Sequence, residues 1–238
     1  LSWLIAPSAY PQAAKTNSSY VPPRTPDGQP DLQGIWNNAT ITTLERPAEL
    51  GAKAFFAPQE ADAYEKKFAV DANRDVRGKN GAADVAGAYN QGWFDRGTKV
   101  VSSLRTSLVT DPPDGKIPYS SEGLKRLADV AERRRLHPAD GPEDLTLADR
   151  CILWRTAGPP MLPGPYNSNY QIFQTPGYVA ITSEMIHDVR FIPLDGRPHL
   201  PASLRQWMGD SRGHWEGNTL VVDTTNFTDT LKFLGTGG

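Results

Sequence analysis

Alternation of apolar and polar positions dominates the last third of the chain and predicts antiparallel β-strands there. Three runs of β-branched and aromatic residues share this pattern, namely YQIFQ (170–174), YVAIT (178–182) and IHDVRFIPL (186–194). Thr175-Pro176-Gly177 supplies a turn between the first two runs. Short alternating runs bounded by turn residues are typical of strands. A further short strand pattern lies near the start, at 32–42.

The stretch 206–227, QWMGDSRGHWEGNTLVVDTTNF, predicts a β-hairpin closed by Gly217-Asn218. Glycine at the first loop position supplies the positive φ of a type II′ turn. Counting outward from the loop places Arg212 opposite Asp223. One face then carries four polar side chains, Asp210, Arg212, His214 and Glu216. The other carries Trp207 and Trp215, with glycines between them that leave room for a close neighbour, and we expect Trp215 to be largely buried.

Two helices are predicted ahead of the main β region. The first spans about 58–71, because small and aromatic residues recur there at spacings of three and four and Pro58 suits a first turn. The second spans 121 to about 136, with a stripe of leucine and alanine. Between them, 93–110 has a strand-like pattern. These elements define a helical insertion at about 57–150.

The patterns together predict an α+β, β-dominated fold, either an antiparallel β-barrel or a sandwich, with about two inserted helices. Gly34 and Trp36 form a G-x-W motif that resembles the one in lipocalin-like barrels. Residues 31–238 would form a single β-rich domain, preceded by a Pro-rich lead at 1–30.

Composition narrows the classes of function. The 21 prolines and 21 glycines among 238 residues indicate a loop-rich protein. A formal net charge of −2 gives no electrostatic basis for binding nucleic acid. No apolar run approaches the roughly 20 residues that a membrane span needs. Cys151 is the single cysteine, which excludes an intramolecular disulfide, and we expect its thiol to be buried.

The first residues, LSWLIAPSAYPQAA, match the end of a signal peptide with cleavage near Ala9 or Ala14. The alternative is a plain mature N-terminal tail. The Pro-rich segment at 20–30 is typical of the linker that follows a cleavage site. We therefore predict export, to the periplasm or the extracellular space.

A first chemical candidate is the trio His187, Asp188 and Arg190, which could supply an acid, a base and an anion clamp. In a regular strand His187 would point to the apolar side, whereas Asp188 and Arg190 would share the other side. His187 and Asp188 could then form a dyad only across a bulge or bend. The alternatives are a core histidine and a solvated surface ion pair.

A second candidate is the polar hairpin face, with Asp210, Arg212, His214 and Asp223 as binding residues. Turned inward, this face would suit a small anionic or hydroxylated ligand; turned outward, it would keep the protein soluble. Two tyrosines, Tyr166 and Tyr170, could form an aromatic rim for a ligand, or pack in an ordinary turn-rich loop. The four histidines show no zinc-ligand spacing, and phosphate-binding glycine loops are absent, so no metal and no cofactor is predicted.

Two segments, GPPMLPGPYNSNYQIFQTPGYVAITSEMIHDVRFIPLDGRPHL and WMGDSRGHWEGNTLVVDTTNF, carry a resemblance that spans most of the chain from Leu32. There the sequence resembles an uncharacterised family of exported bacterial proteins. The resemblance implies bacterial origin, export and a β-rich body, and it brings no catalytic residue with it. Proteins of that family continue into further strands after TTNF, which implies that this chain is a C-terminally truncated fragment.

Three functions follow from these observations. The first is an exported β-barrel that binds a small organic molecule. The second is an acid–base enzyme, a hydrolase or lyase, with a site around Asp188, Arg190 and His214. The third is a subunit of an envelope or extracellular assembly, with a protein partner at exposed sheet edges. The side chains that line the main cavity discriminate among them.

Overall fold

The computed structural model describes residues 21–76, 80–86 and 90–229. Within them the chain forms an α+β fold. Its strands are β1 (Gly34–Asn37), β2 (Asn169–Thr175), β3 (Tyr178–Ser183), β4 (Val189–Pro193), β5 (Asp210–Glu216) and β6 (Thr219–Thr225). Its helices are α1 (Pro58–Asp71), α2 (Gly81–Ala86) and α3 (Ser121–Leu136). The predicted cleavage sites at Ala9 and Ala14 lie outside the described residues.

The described strands form two antiparallel sheets. One sheet has the order β1-β2-β3-β4, and the other is the β5-β6 hairpin. The pairing of Thr175 with Tyr178 leaves Pro176-Gly177 as the tight loop between β2 and β3. β1 is brought to the edge of the sheet from far away in sequence, with Trp36 opposite Tyr170.

The predicted hairpin register is confirmed. Arg212 lies opposite Asp223, and Glu216 opposite Thr219, on either side of the Gly217-Asn218 loop. Gly217 has a φ of 61°, the left-handed conformation that the loop requires of its first residue. The register holds because a slip by one residue would exchange the two faces of the strand.

The hairpin packs face to face on β4. A Cβ atom added at Gly213 would lie 2.6 Å from Ile192 Cγ2 and 2.9 Å from Leu194 Cδ2, so the missing side chain is what admits these neighbours. Ile192 is fully buried in this contact. Trp215, on the same face as Gly213, is only half-buried, which is less than predicted.

Two smaller cores lie outside this contact. Ile41, Phe56, Ala61 and Val100 form one beneath α1, and Leu147, Leu153 and Ala157 form another, against which Trp207 packs. Apolar side chains are thus divided among several small clusters, as expected for a chain rich in Pro and Gly.

Both long helices occur where the sequence predicts them. α1 begins at Pro58, and the Glu60 side chain accepts a hydrogen bond from the Ala57 N–H (2.8 Å). α3 is capped by the Ser120 hydroxyl, which accepts from the Gly123 N–H (3.0 Å). The apolar stripe predicted for α3 is not buried, since Leu124 is 56% exposed.

Segment 93–110 is not a strand, contrary to the prediction. Its backbone instead bonds to coil that is distant in sequence, through one isolated bridge between Phe55 and Arg105 and through single bonds. The bonds include Ile41 N–H to Lys99 O (3.0 Å), Phe56 N–H to Leu104 O (2.8 Å) and Leu108 N–H to Thr43 O (2.9 Å). Leu104 has a φ of 57°, which interrupts any extended run. The prediction of a buried Cys151 is also wrong, because the residue is exposed.

Gly213→Ala should destabilise the protein by about 1–3 kcal/mol, because the new methyl group overlaps Ile192 and Leu194 in a packed interface. The measurement is the free energy of unfolding in urea. Gly177→Ala is the matched control: a Cβ there has no neighbour within 4 Å. Equal midpoints for the two variants would contradict the packing of the hairpin on β4.

Candidate functional site

The turn before β4 separates the first predicted trio. β4 begins only at Val189, and Ile186 and His187 both have a φ of 65°, so the chain turns here rather than continuing as a strand. His187 is exposed to solvent instead of lying on the apolar side. The prediction for His187 assumed a regular strand, and it is wrong because Ile186 and His187 adopt left-handed backbone conformations in a turn.

Arg190 is a buried residue that joins three parts of the fold. Its Nη1 donates to Met208 O (2.8 Å) and to Ser211 Oγ (3.1 Å), and its Nη2 donates to Ala157 O (2.8 Å). Only 7% of the residue is exposed. Burial lowers the pKa of Arg190, and the charge of Asp188 opposes that effect. The Arg190 guanidinium thus holds β4 to the hairpin region and to the loop at Ala157.

Asp188 lies near Arg190 as predicted, but it is not a solvated surface pair. Its Oδ2 is buried without a hydrogen-bond partner. Burial raises the pKa of Asp188, and the charge of Arg190 partly offsets this rise. The carboxyl group is therefore easier to protonate than an ordinary aspartate.

The polar hairpin face is covered at one end by the segment that contains His199. Asp210 is buried there; its Oδ2 accepts from Leu200 N–H (2.9 Å) and contacts His199 Nδ1 (2.9 Å), and its Oδ1 accepts from Arg212 Nη1 (2.7 Å). His199 Nε2 lies 2.8 Å from Asp223 Oδ2. Arg212 and Asp223 are cross-strand neighbours as predicted, but they do not pair with each other: Arg212 pairs with Asp210, and Asp223 contacts His199.

His199 was not singled out by the sequence. It follows Pro198 in coil, outside any strand alternation or ligand spacing. Hydrogen bonds to Asp210 and Asp223 raise the pKa of His199. Burial by itself would raise the pKa of Asp210, but the Leu200 N–H, His199 and Arg212 lower it on balance.

His214 lies at the other, exposed end of this face and pairs with Glu216 (3.0 Å). Arg190 reaches the Ser211 side of β5, whereas Arg212 and His214 project from the opposite side. The site predicted around Asp188, Arg190 and His214 is therefore not assembled.

The two tyrosines of the predicted rim are held by packing. Tyr170 is buried, its hydroxyl donates to Thr156 O (2.7 Å), and burial raises its pKa to about 12. Tyr166 stacks on Trp154 with ring centroids 6.1 Å apart, and Phe94 meets its ring edge-on. Neither arrangement resembles an open rim.

A cavity of about 230 Å³ is the site that the sequence did not predict. We call it the arginine cavity. Its walls come from coil at 40–44, from Phe68 of α1 and from the loop at 155–164. The lining residues are Thr40, Ile41, Thr42, Thr43, Leu44, Phe68, Arg96, Leu108, Arg155, Leu162, Pro163 and Gly164.

Backbone hydrogen bonds bring these distant segments together. The Asp95 N–H donates to Pro165 O (2.9 Å), which sets Arg96 beside the loop that carries Arg155. Gly97 lies against the backbone of Ala39, at a distance where an added Cβ would be 3.1 Å from the Ala39 carbonyl group. No pattern in the sequence distinguishes Arg96 or Arg155 from surface arginines, because this approach depends on coil.

Three guanidinium nitrogens at the arginine cavity are buried without a hydrogen-bond partner: Arg96 Nε, Arg96 Nη2 and Arg155 Nε. The indole Nε1 of Trp154, another unpartnered donor, lies next to Gly164. Leaving buried donors unpaired is costly, more so when they carry charge. The two arginines that line the cavity thus carry donors that lack acceptors.

The electrostatics of the arginine cavity favour an anion. None of the described residues that line it carries a carboxylate. Burial lowers the pKa of both Arg96 and Arg155, and repulsion from Arg74 lowers that of Arg96 further. The Arg96 guanidinium also lies 4.1 Å from the centroid of the Phe94 ring, which holds it in place.

A larger groove of about 610 Å³ lies between the end of α3 and residues 137–144. Its basic side chains already have acidic partners: Arg133 pairs with Asp144 (3.5 Å) and His137 contacts Asp140 (2.8 Å). In the described part of the chain, no cluster of three or more His, Cys, Asp or Glu residues is placed to hold a metal ion. Nor does any described helix combine the length and apolar character that crossing a membrane demands.

The comparisons with known proteins add no relative: the chain matches no protein-family model, no curated protein and no solved structure. The resemblance to exported bacterial proteins therefore stays a prediction.

Arg190→Met should cost on the order of 3 kcal/mol of stability, because Met208 O, Ala157 O and Ser211 Oγ would lose a charged donor inside the protein. Chemical denaturation measures this loss. Arg197→Met is the control, since Arg197 pairs with Asp195 at the surface. A parent-like midpoint for Arg190→Met would show that the buried bonds contribute little.

His199→Gln should flatten the pH dependence of stability above pH 6.5. The raised pKa of His199 means that its stabilising contribution is complete below the unfolded value of 6.5 and is lost as pH rises through the folded value. Urea midpoints recorded between about pH 6 and pH 9 follow this loss. His214→Gln removes an exposed pair and should keep the parent profile. If stability depended on pH in the same way in the parent and in His199→Gln, the bonds of His199 to Asp210 and Asp223 would not stabilise the fold as predicted.

Proposed function

We propose that the protein binds a small anionic molecule in the arginine cavity. The observation that carries this proposal is the set of three buried guanidinium nitrogens, on Arg96 and Arg155, that have no partner within the fold. Buried guanidinium nitrogens without acceptors are costly unless something offsets that cost, and a bound anion supplies both the charge and the acceptors.

The contrast with Arg190 supports this reading. Arg190 is buried and is satisfied by carbonyl and hydroxyl oxygens of its own chain. Arg96 and Arg155 line a cavity and are not satisfied. The chain therefore supplies hydrogen-bond acceptors to the guanidinium of Arg190, whereas it supplies none to the buried nitrogens of Arg96 and Arg155.

The alternative of an acid–base enzyme around Asp188, Arg190 and His214 loses its geometric basis, because His214 projects from the side of β5 opposite to the one that Arg190 contacts. Asp188 does not line the arginine cavity either. Export to the periplasm or extracellular space and a role in an assembly stay predictions. Of the two architectures predicted, we propose the sandwich over the lipocalin-like barrel, since the hairpin packs face to face on β4 at Gly213.

Anions should raise the melting temperature of the parent protein and not that of Arg155→Met. A ligand present at 100 times its Kd stabilises by about 2.7 kcal/mol, which is readily seen in a thermal scan. Screening should compare carboxylates and phosphates at low, matched ionic strength. Arg155→Met should be at least as stable as the parent without ligand, because it removes a partly buried charge that has no partner.

Arg105→Met is the matched control for this experiment. Arg105 is also half-buried and lies over an aromatic ring, 4.8 Å from the centroid of Phe55, but it does not line the cavity. It should keep the response to anions. An equal response in parent and Arg155→Met, or no response of the parent to any anion, would contradict the proposed function.

A further inference from the structure

We propose that the ligand of the arginine cavity is a small carboxylic acid with a compact apolar body, rather than a phosphate or an amino acid. This inference rests on the proposed function and names its ligand class. It follows from the size of the cavity, from the chemistry of its walls and from the donors of the lining that are already engaged.

The size admits one small ring with an acidic group. A cavity of 150 Å³ lined by apolar side chains is enough to bind benzene. The arginine cavity, at about 230 Å³, has additional room for a carboxylate. It is below the roughly 300–1,000 Å³ typical of sites for drug-sized ligands, which argues against nucleotides and oligosaccharides.

Part of the cavity lining is apolar. Ile41 and Leu162 are buried, at 5% and 6% exposure, and Leu108 and Phe68 complete this part of the lining. A fully hydrated ion such as sulfate would gain nothing from these side chains. An aromatic or branched aliphatic body would gain about fourfold in affinity for each buried methylene group.

Several donors of the lining are already engaged within the chain, which favours a carboxylate over a phosphate. Thr40 and Thr43 donate their hydroxyl protons to Lys99 O (2.9 Å) and Glu45 O (2.7 Å). Three amides of the lining are also engaged: Ile41 N–H donates to Lys99 O, Leu162 N–H to Arg155 O and Gly164 N–H to Ser168 Oγ. Phosphate sites usually surround the anion with free backbone N–H groups, whereas a carboxylate needs only a planar pair of donors, which guanidiniums supply.

An amino acid would bring an ammonium group that finds no counter-charge. The described lining residues include no Asp or Glu, and two guanidiniums would repel the ammonium. The cavity therefore selects acids without a neighbouring amine. Neutral isosteres of the acid, such as the amide, would leave the guanidinium charges unneutralised.

Isothermal titration calorimetry of the full chain against five probes tests this inference: benzoate, acetate, inorganic phosphate, phenylalanine and benzamide. We expect benzoate to bind about tenfold or more tightly than acetate, because only benzoate fills the apolar part. Phosphate, phenylalanine and benzamide should bind more weakly than benzoate by a similar factor or not at all. Arg96→Met and Arg155→Met should each abolish benzoate binding, and Arg105→Met should retain it.

The outcomes separate the two proposals. Phosphate binding that equals or exceeds benzoate binding and is lost in Arg155→Met would overturn the carboxylic-acid inference and leave the anion site standing. Equal affinity for acetate and benzoate would overturn the role of the apolar wall. No binding of any anion would remove the proposed function itself. Circular dichroism of each variant shows whether lost binding reflects lost folding.

Discussion

A guanidinium taken out of water must find oxygen acceptors, and this requirement at Arg190 sets how the parts of the molecule meet. The residue belongs to β4, yet its bonds run to Met208 and Ser211 of the hairpin region and to Ala157 of the preceding loop. Removing either region would leave part of this buried guanidinium without an acceptor. Next to these hydrogen bonds of Arg190, Gly213 of the hairpin packs closely against Ile192 of β4.

The same requirement, left unmet, marks the arginine cavity. Arg96 and Arg155 are brought together by coil segments that bond to one another through single backbone hydrogen bonds such as Asp95 N–H to Pro165 O. Their buried nitrogens have no acceptor among the described residues. Arg190 finds its acceptors within the chain, whereas the buried nitrogens of Arg96 and Arg155 do not, and we propose an anion as their partner.

Local patterns in the sequence predicted the regular elements well. α1 and α3 begin and end where the helical spacing and the capping residues place them, and the hairpin register follows from counting outward from Gly217-Asn218. These features depend on residues close together in sequence. The strand predicted at 93–110 was wrong because its backbone bonds to distant coil, a preference that no local alternation encodes.

The sites were predicted less well than the helices and the hairpin, because they too depend on contacts between residues that are distant in sequence. Asp188 and Arg190 are close together as predicted, but strand alternation misplaced His187, since Ile186 and His187 form a left-handed turn. His199 and the pair Arg96 and Arg155 acquire their neighbours only through tertiary contacts between loops. The sequence shows the types of these side chains, but local patterns do not show which of them become neighbours in the fold.

The most direct test of the central claim is to observe the guanidinium groups themselves. Two-dimensional ¹⁵N–¹H NMR resolves arginine Nε–H resonances, and substitution of Arg96, Arg155 and Arg190 assigns them. On titration with benzoate, the Nε–H signals of Arg96 and Arg155 should shift together and saturate with one Kd, while that of Arg190 stays in place. Signals from Arg96 and Arg155 that do not move, or that move no more than those of surface arginines, would contradict the account.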